Sequence, residues 1–265
     1  MSDPVVVATL AAVAGLAGLL VGSFLNVVIH RVPRGESVVR PASRCPGCGQ
    51  TIAARHNVPV FGWLVLRGRC AGCGARISVR YPLVELGTAV LFALLALRFG
   101  PPDLPAFLYF GAIGIALALI DLDCRRLPNA IVLPSYPVLA VLLTASAWWR
   151  GDWWSLARAG IGGAALFAFY LALALAYPAG MGFGDVRLAG ILGGVLGYVS
   201  WAALLAGAFG GFLLGAVAGV VVLASGKGGR KTALPFGPFM IAAALVAVFA
   251  AGPLGDAYQR LTGLA

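Results

Sequence analysis

The sequence has few charged residues, and acids are especially scarce. Charged side chains make up 11% of the 265 residues, with nine Asp and Glu against nineteen Lys and Arg, whereas 61% of the residues are hydrophobic. Soluble globular domains carry roughly 25% charged residues, so this composition excludes an ordinary soluble domain. The sequence instead predicts a membrane protein with several spanning helices.

Histidine is also rare, with only two in the chain. His30 ends the first apolar run, and His56 lies in a polar segment away from acidic residues. Cys124, which belongs to no cysteine pair, is more typical of a small buried filler than of a nucleophile. The sequence therefore gives no support for a Cys-His or a Ser-His-Asp enzyme.

Three further patterns are missing from the sequence. No Lys or Arg precedes the first apolar run, where Asp3 stands, so we expect the first helix to remain and not to be cleaved as a signal peptide. No strand, glycine-rich turn and helix of the dinucleotide-binding type is present. No internal repeat is visible, which disfavours the competing interpretation of a proton-coupled transporter that uses intramembrane carboxylates.

Long apolar runs dominate what is present. A membrane-spanning helix needs about 20 predominantly apolar residues, and the run 188–224 has 37 residues, so we divide it near 197–201 into two helices. The other runs cover 5–29, 82–97, 104–120, 131–149, 156–177 and 236–252. The predicted fold is an all-α polytopic membrane protein with about eight transmembrane helices.

Arginine is concentrated between the first two predicted helices. Because loops retained in the cytoplasm are rich in Lys and Arg, we expect this insertion, and with it the basic loop at 227–231, to be cytoplasmic. The predicted division is a first helix at 1–30, an insertion at 31–81 and a membrane body at 82–265.

Attraction to anionic membrane lipid accounts for the net charge of +10, so we predict no nucleic-acid partner. The arginines of the insertion are Arg31, Arg34, Arg40, Arg44, Arg55, Arg67, Arg69, Arg76 and Arg80, against the single acid Glu36.

The same insertion contains two closely spaced cysteine pairs, Cys45 with Cys48 and Cys70 with Cys73. Two Cys-x2-Cys turns can supply the four thiolates of a tetrahedral Zn²⁺ site. Two disulfides are the alternative, which a reducing cytoplasm disfavours. We predict a structural zinc site, because four protein ligands leave no open coordination position.

Two acids stand at the edges of apolar runs, where ionisable side chains are candidates for function. Asp121 ends the run 104–120, and Asp185 follows Gly182 and Gly184 after the chain has crossed the membrane and returned. Topology therefore places both carboxylates at the same membrane surface, where a close pair could share a proton as aspartic proteases do. On physical grounds alone, helix capping or pairing with nearby arginines is an equal alternative.

Taken together, these motifs resemble the prepilin peptidase family, the GxGD-type intramembrane aspartic proteases. The resemblance rests on "GSFLNVVIHRVP" at 22–33, both cysteine pairs, "NVP" at 57–59, "RYPLVE" at 80–85, "IDLDCRRLPN" at 120–129 and "GFGDVRL" at 182–188. It implies that Asp121 and Asp185 form the catalytic pair, with Asp123 the weaker candidate. The family commonly has Lys two residues after the second acid, whereas this chain has Arg187.

The resemblance also implies what such an enzyme would do and where. The expected substrates are type IV prepilins or type II secretion pseudopilins, cleaved at the cytoplasmic face of the bacterial inner membrane. Many members also methylate the new N-terminal amine with S-adenosylmethionine. Gly22, Ser23, Asn26 and Glu85 are candidates for binding this methyl donor, although helix packing and an ion pair between Arg80 and Glu85 would explain them equally well.

Overall fold

A computed structural model of the chain describes residues 3–178, 181–225 and 234–262, and the regular structure within these residues is helical. The basic residues Lys227, Arg230 and Lys231 lie outside the described residues. The β pairing in the described residues consists of two isolated antiparallel bridges, which join Arg44 with Thr51 and Arg69 with Arg76. The helices are α1 (Pro4–Arg31), α2 (Phe61–Val65), α3 (Arg80–Arg98), α4 (Leu104–Cys124), α5 (Asn129–Arg150), α6 (Trp153–Ala176), α7 (Phe183–Val199), α8 (Trp201–Ala224) and α9 (Gly237–Thr262).

The predicted apolar runs coincide with the long helices, except that α9 continues to Thr262, beyond the predicted end at 252. Ser200 separates α7 from α8, as the division of the long run predicted; its extended backbone ends one helix and its hydroxyl accepts the Ala203 N–H at 3.0 Å to begin the next. At the end of α7, the Arg158 guanidinium donates to the carbonyls of Gly197 and Tyr198 at 2.6 and 2.7 Å. These bonds satisfy carbonyls that the helix itself leaves without partners.

The predicted count of eight membrane spans is not confirmed. Within the described residues, six helices are long and apolar enough to cross a membrane, namely α1, α3, α4, α5, α6 and α8. Helix α7 has 17 residues, at the lower limit of about 17 residues that a crossing requires. The chain is nonetheless a multi-pass membrane protein, and large apolar side chains such as Leu16, Leu20 and Phe24 remain exposed on α1.

The first compact unit, residues 1–116, is built on the packing of α1 against α3. Glycines on α1 allow this approach: a Cβ at Gly18 would lie 2.7 Å from the Ala89 Cα, and one at Gly22 would lie 2.7 Å from the Glu85 Cα. Such distances exclude any larger side chain without moving a backbone. The small residues therefore set the spacing of the two helices, as in other membrane helix pairs.

The second compact unit, residues 117–265, is built on α6 against α7 and on α8 against α9. Close backbone approach again determines the packing, since a Cβ at Gly162 would lie 2.6 Å from the Gly193 carbonyl oxygen. Most residues of α7 are buried. This helix carries the second candidate acid at its N-terminal end, so its buried position fixes where that carboxylate lies.

Candidate active site

Asp121 lies in the last turn of α4, with only 5% of its surface exposed. The helix ends just after it, where Arg125 adopts a positive φ of 52° and donates its N–H to the Asp121 carbonyl at 2.8 Å. A carboxylate near a helix C-terminus is disfavoured by the helix dipole. Helix stability therefore does not explain this acid. Its Oδ2 instead accepts the backbone N–H of Gly237, the first residue of α9, at 3.1 Å.

Asp185 occupies the first turn of α7. Its carboxylate accepts the N–H of Gly182 at 3.3 Å, while its own N–H donates to the Gly182 carbonyl at 3.0 Å. The side chain thus satisfies a backbone donor that the helix start leaves open. The capping alternative raised from the sequence is therefore part of the observed geometry, and it also fixes the orientation of the carboxylate.

Leu127 lies between the segments that carry the two acids. A Cβ at Gly184 would lie 3.0 Å from the Leu127 Cβ, and a Cβ at Gly237 would lie 3.3 Å from the Leu127 Cδ2. The two carboxylates are also close enough to interact electrostatically. The fold therefore brings together Asp121 and Asp185, which are 64 positions apart in the chain.

Arg187, two residues after Asp185, has other partners. The Arg187 guanidinium donates to the Asn129 Oδ1 at 2.6 Å, and the Arg187 carbonyl accepts the Tyr136 hydroxyl at 2.6 Å. Among the residues that the structure describes, neither Asp121 nor Asp185 forms an ion pair within 4.0 Å. The arginine-pairing alternative is thus not observed. Two carboxylates that repel each other, with no cationic partner among the described residues, are costly to ionise together, which favours one proton between them.

Two neighbours of the pair were missed from the sequence. Tyr170 on α6 is 1% exposed, stacks on Phe212 with ring centroids 5.5 Å apart, and interacts electrostatically with Asp185. Gly237 binds Asp121 directly. The segment "PFGPF" at 235–239 was the available signal for Gly237, but a backbone donor leaves no characteristic side chain to recognise. Tyr170 lies within an apolar run, where nothing distinguishes it from a packing residue.

The four cysteines of the insertion form one cluster, and their Sγ atoms all lie within 4.8 Å of one another. The two Cys-x2-Cys turns have the same pattern of backbone hydrogen bonds. Cys45 N–H donates to the Gln50 carbonyl at 2.9 Å, and Cys70 N–H donates to the Ala75 carbonyl at 2.8 Å. Gly49 and Gly74 close the turns with φ of 71° and 68°, a conformation that glycine adopts without strain.

The electrostatics of the cluster favour a thiolate at Cys70 and oppose one at Cys73. Backbone N–H groups of Cys73 and Gly72 lower the pKa of the Cys70 thiol to about 6. A hydrogen bond from the Ala75 backbone N–H lowers the pKa of Cys73, but contacts with the other three thiols together with desolvation raise it to about 11. Thiolates are the form in which cysteine binds a metal. The four cysteines are free in the structure, with no disulfide among them. The cluster can therefore hold a metal ion.

The four candidate methyl-donor residues lie along the α1 and α3 pair but face different surroundings. Ser23 lines a cleft of about 350 Å³ in the first unit. Gly22 packs against Glu85 and Thr88, and the Asn26 amide donates to the Tyr81 carbonyl at 3.1 Å. The Glu85 carboxylate accepts the backbone N–H of Val60 at 2.7 Å.

Comparison with known proteins gives matches along most of the chain. Residues 16–99 match the model of the bacterial peptidase A24 N-terminal domain, and residues 108–223 match the type IV leader peptidase family. A Pseudomonas putida protein described as a prepilin leader peptidase/N-methyltransferase is 36% identical over 94% of this chain and 94% of its own length. The chain belongs to the type IV leader peptidase family.

Other relatives in the family carry the same description. A Bacillus subtilis protein is 32% identical over 87% of this chain and 90% of its own length. A Myxococcus xanthus protein is 40% identical over 81% of this chain, which spans 64% of that relative. No solved structure gives a significant match. The matched segments include both acids and all four paired cysteines, whereas Gly237 lies beyond them.

Proposed function

We propose that this protein is a membrane-embedded aspartic endopeptidase. It removes the leader peptide of type IV prepilins or type II secretion pseudopilins and then methylates the new N-terminal amine. The observation that carries this function is that Asp121 and Asp185 lie in one site and have no cationic partner within the described residues, in a member of the type IV leader peptidase family. The competing transporter interpretation has no support from these findings.

The chemistry follows from two carboxyl groups that share one proton. The ionised group takes a proton from a water molecule, whose oxygen attacks the scissile carbonyl carbon while the protonated group donates to the carbonyl oxygen. Collapse of the tetrahedral intermediate breaks the C–N bond, and the leaving nitrogen takes up a proton. Gly237 orients Asp121 and Gly182 orients Asp185. The titration belongs to the pair, so neither acid is assigned alone as the base.

The test is cleavage of a synthetic prepilin by the purified protein, with the product identified by mass. Asp121→Asn and Asp185→Asn should each abolish cleavage, because an amide cannot exchange a proton with water or carbonyl in this way. Asp123→Asn is the matched control, since Asp123 is exposed two residues from Asp121. Near-normal cleavage by Asp121→Asn would contradict the proposed pair, provided that all three variants melt like the wild type.

The four-cysteine cluster is suited to Zn²⁺ in a structural role. Four sulfurs placed about 2.3 Å from a tetrahedral zinc ion lie about 3.8 Å from one another, and the Cys45 and Cys73 Sγ atoms are 3.8 Å apart. Cys48 and Cys70 complete the set of ligands. With four thiolates, the metal has no position left for water or substrate, so it stabilises the insertion and does not take part in cleavage.

S-adenosylmethionine is the proposed methyl donor, and the region around Ser23 is its proposed binding site. The cleft there is within the size range of small-molecule sites, roughly 300–1,000 Å³. When bound, the donor supplies a methyl group: the amine nitrogen forms the new N–C bond as the C–S bond breaks, the bonding pair stays on sulfur, and the amine loses a proton. Ser23 and Arg31 line the cleft, and a hydroxyl and a guanidinium are groups that would hold polar parts of a ligand. Gly22, Asn26 and Glu85 support the same region through their packing and hydrogen bonds.

The proposed location is the bacterial inner membrane, with the insertion and the catalytic pair at the cytoplasmic face. The arginine-rich insertion supports this orientation. Since a prepilin leader is basic, the same arginines would contact anionic lipid and not the leader. Recognition would then depend on the apolar helix of the substrate and on residues beside the scissile bond.

A further inference from the structure

A buried carboxylate of the membrane helix α3 holds a strained turn in the cysteine-bearing insertion. Glu85 is 8% exposed, and its Oε2 accepts the Val60 N–H at 2.7 Å. Val60 has φ 63° and ψ −52°, and the Phe61 N–H donates to the Pro59 carbonyl at 2.6 Å. This is a γ-turn with a positive central φ, which is rare and strained. A β-branched residue is especially unfavourable in that conformation.

The strained turn forms one side of the cleft around Ser23. Asn57 and Pro59, immediately before Val60, line this cleft together with Ser23 and Arg31 of α1. Residues of the segment 38–43 also line the cleft, and the Arg31 guanidinium donates to the carbonyl of Ser37, just before this segment, at 3.0 Å. The position of the Asn57 side of the cleft therefore depends on how the turn at Val60 is maintained.

The packing of α1 against α3 fixes the position of Glu85, and therefore of the carboxylate that bonds Val60. The absence of a side chain at Gly22 brings the α1 backbone against the Glu85 backbone, so the carboxylate and the cleft-lining face of α1 move together. Because the Val60 conformation is intrinsically unfavourable, an external hydrogen bond is needed to keep it populated. A charged acceptor is the stronger kind of partner for a backbone N–H.

We infer that Glu85 is a positioning residue for methyl-donor binding, which acts through Val60 to hold the Asn57 and Pro59 side of the cleft in place. This inference rests on the N-methylation proposed above. The cleft suits the donor chemically: Arg31 can pair with the donor's carboxylate, Ser23 and Asn57 can bond its hydroxyl and ring nitrogen groups, and Phe24 offers an apolar face to its adenine. Glu85 itself bonds Val60 and does not need to touch the ligand.

The test measures binding of radiolabelled S-adenosylmethionine to the purified full-length protein by equilibrium dialysis. Glu85→Leu fills the same buried space without an acceptor and should raise the dissociation constant about tenfold or more. Glu85→Gln keeps an acceptor oxygen at the same distance from the backbone and should bind within about threefold of the wild type. Zinc content and thermal melting verify that each variant is folded.

The decisive comparison uses Val60→Gly, because glycine adopts a positive φ without strain. In this background the turn no longer needs Glu85, so adding Glu85→Leu should weaken binding by less than about threefold. Full loss of binding in the double variant would overturn the inference, as would unchanged binding in Glu85→Leu alone. If Glu85→Leu does not fold, the double variant, in which the strain is absent, still decides the question.

A second arm tests the cleft itself. Ser23→Leu fills the cleft without altering Glu85 or Val60, and it should abolish donor binding. If this variant binds the donor normally but retains less phospholipid on purification, the cleft holds lipid and the inference is wrong. Failure of the proposed methylation differs from either result, because the wild type would then neither bind the donor nor yield a methylated product.

Discussion

Replacing Gly237 with alanine should impair cleavage by displacing the Asp121 carboxylate. An added Cβ would lie 2.8 Å from the Asp121 Oδ2 and 3.3 Å from the Leu127 Cδ2. The first distance is shorter than a carbon and an oxygen can approach, so the carboxylate must move. The same movement weakens the 3.1 Å hydrogen bond from the Gly237 N–H. Both effects act on a carboxylate that exchanges a proton in the proposed mechanism.

The size of the effect follows from that hydrogen bond. Hydrogen bonds to charged groups contribute about 1.5–3 kcal/mol, and each ~1.4 kcal/mol of barrier corresponds to about tenfold in rate. We therefore expect Gly237→Ala to lower kcat about 10- to 100-fold. The KM for prepilin should change little, because Gly237 bonds the carboxylate that we propose to be catalytic.

The assay is cleavage of a synthetic prepilin in detergent at saturating substrate, quantified by mass spectrometry. Gly219→Ala in α8 is the matched control, because a Cβ at Gly219 meets no atom within 4 Å. The reasoning is refuted if Gly237→Ala keeps at least half of the wild-type kcat while remaining folded. An equal loss in Gly219→Ala would show that the effect comes from general disturbance of the helices.

Two further predictions concern the insertion and a helix start. Wild-type protein purified without chelator should contain stoichiometric zinc by elemental analysis, and Cys48→Ser should lower that content and make residues 43–77 sensitive to protease; an unchanged digestion pattern would contradict the structural role. Asp152 accepts the Ser155 hydroxyl and N–H at 2.6 and 3.1 Å, and these bonds lower its pKa. Asp152→Ala should therefore cost about 1 kcal/mol of stability near neutral pH. Because the folded pKa is depressed, the stabilisation is present above the unfolded value of about 3.9 and is lost as pH falls through the folded value. The melting temperatures of wild type and variant should converge in acid, and a gap that persists there would argue against an ionic cap.

The helices and the chemistry-bearing motifs could be predicted from the sequence because both depend on local constraints. An apolar segment in lipid must satisfy its backbone polar groups internally, so runs of apolar residues predicted the long helices to within about five positions, including the break at Ser200, except that α9 continues to Thr262, beyond the predicted end at 252. Two Cys-x2-Cys pairs likewise predicted a cluster, since each pair is closed by its own turn. The predicted count of eight spans was not confirmed, because α7 has 17 residues and the apolar part of α9 covers only Gly237–Ala250, so neither is among the six helices long and apolar enough to cross a membrane within the described residues.

Contacts between distant segments were decided by the tertiary structure alone. Asp121 and Gly237 are 116 positions apart, and a backbone N–H has no signature in a list of side chains. Glu85 is a second example. The sequence offered it as a methyl-donor ligand or as a partner of Arg80, and only the fold shows that its carboxylate accepts the Val60 N–H in the insertion. The sequence alone determined which residue types were available to cleave a peptide bond and to bind a metal. The packing of helices through small residues determined which carboxylates lie close together and which accept a backbone N–H. These contacts depend on the spacing between whole helices and not on local sequence patterns.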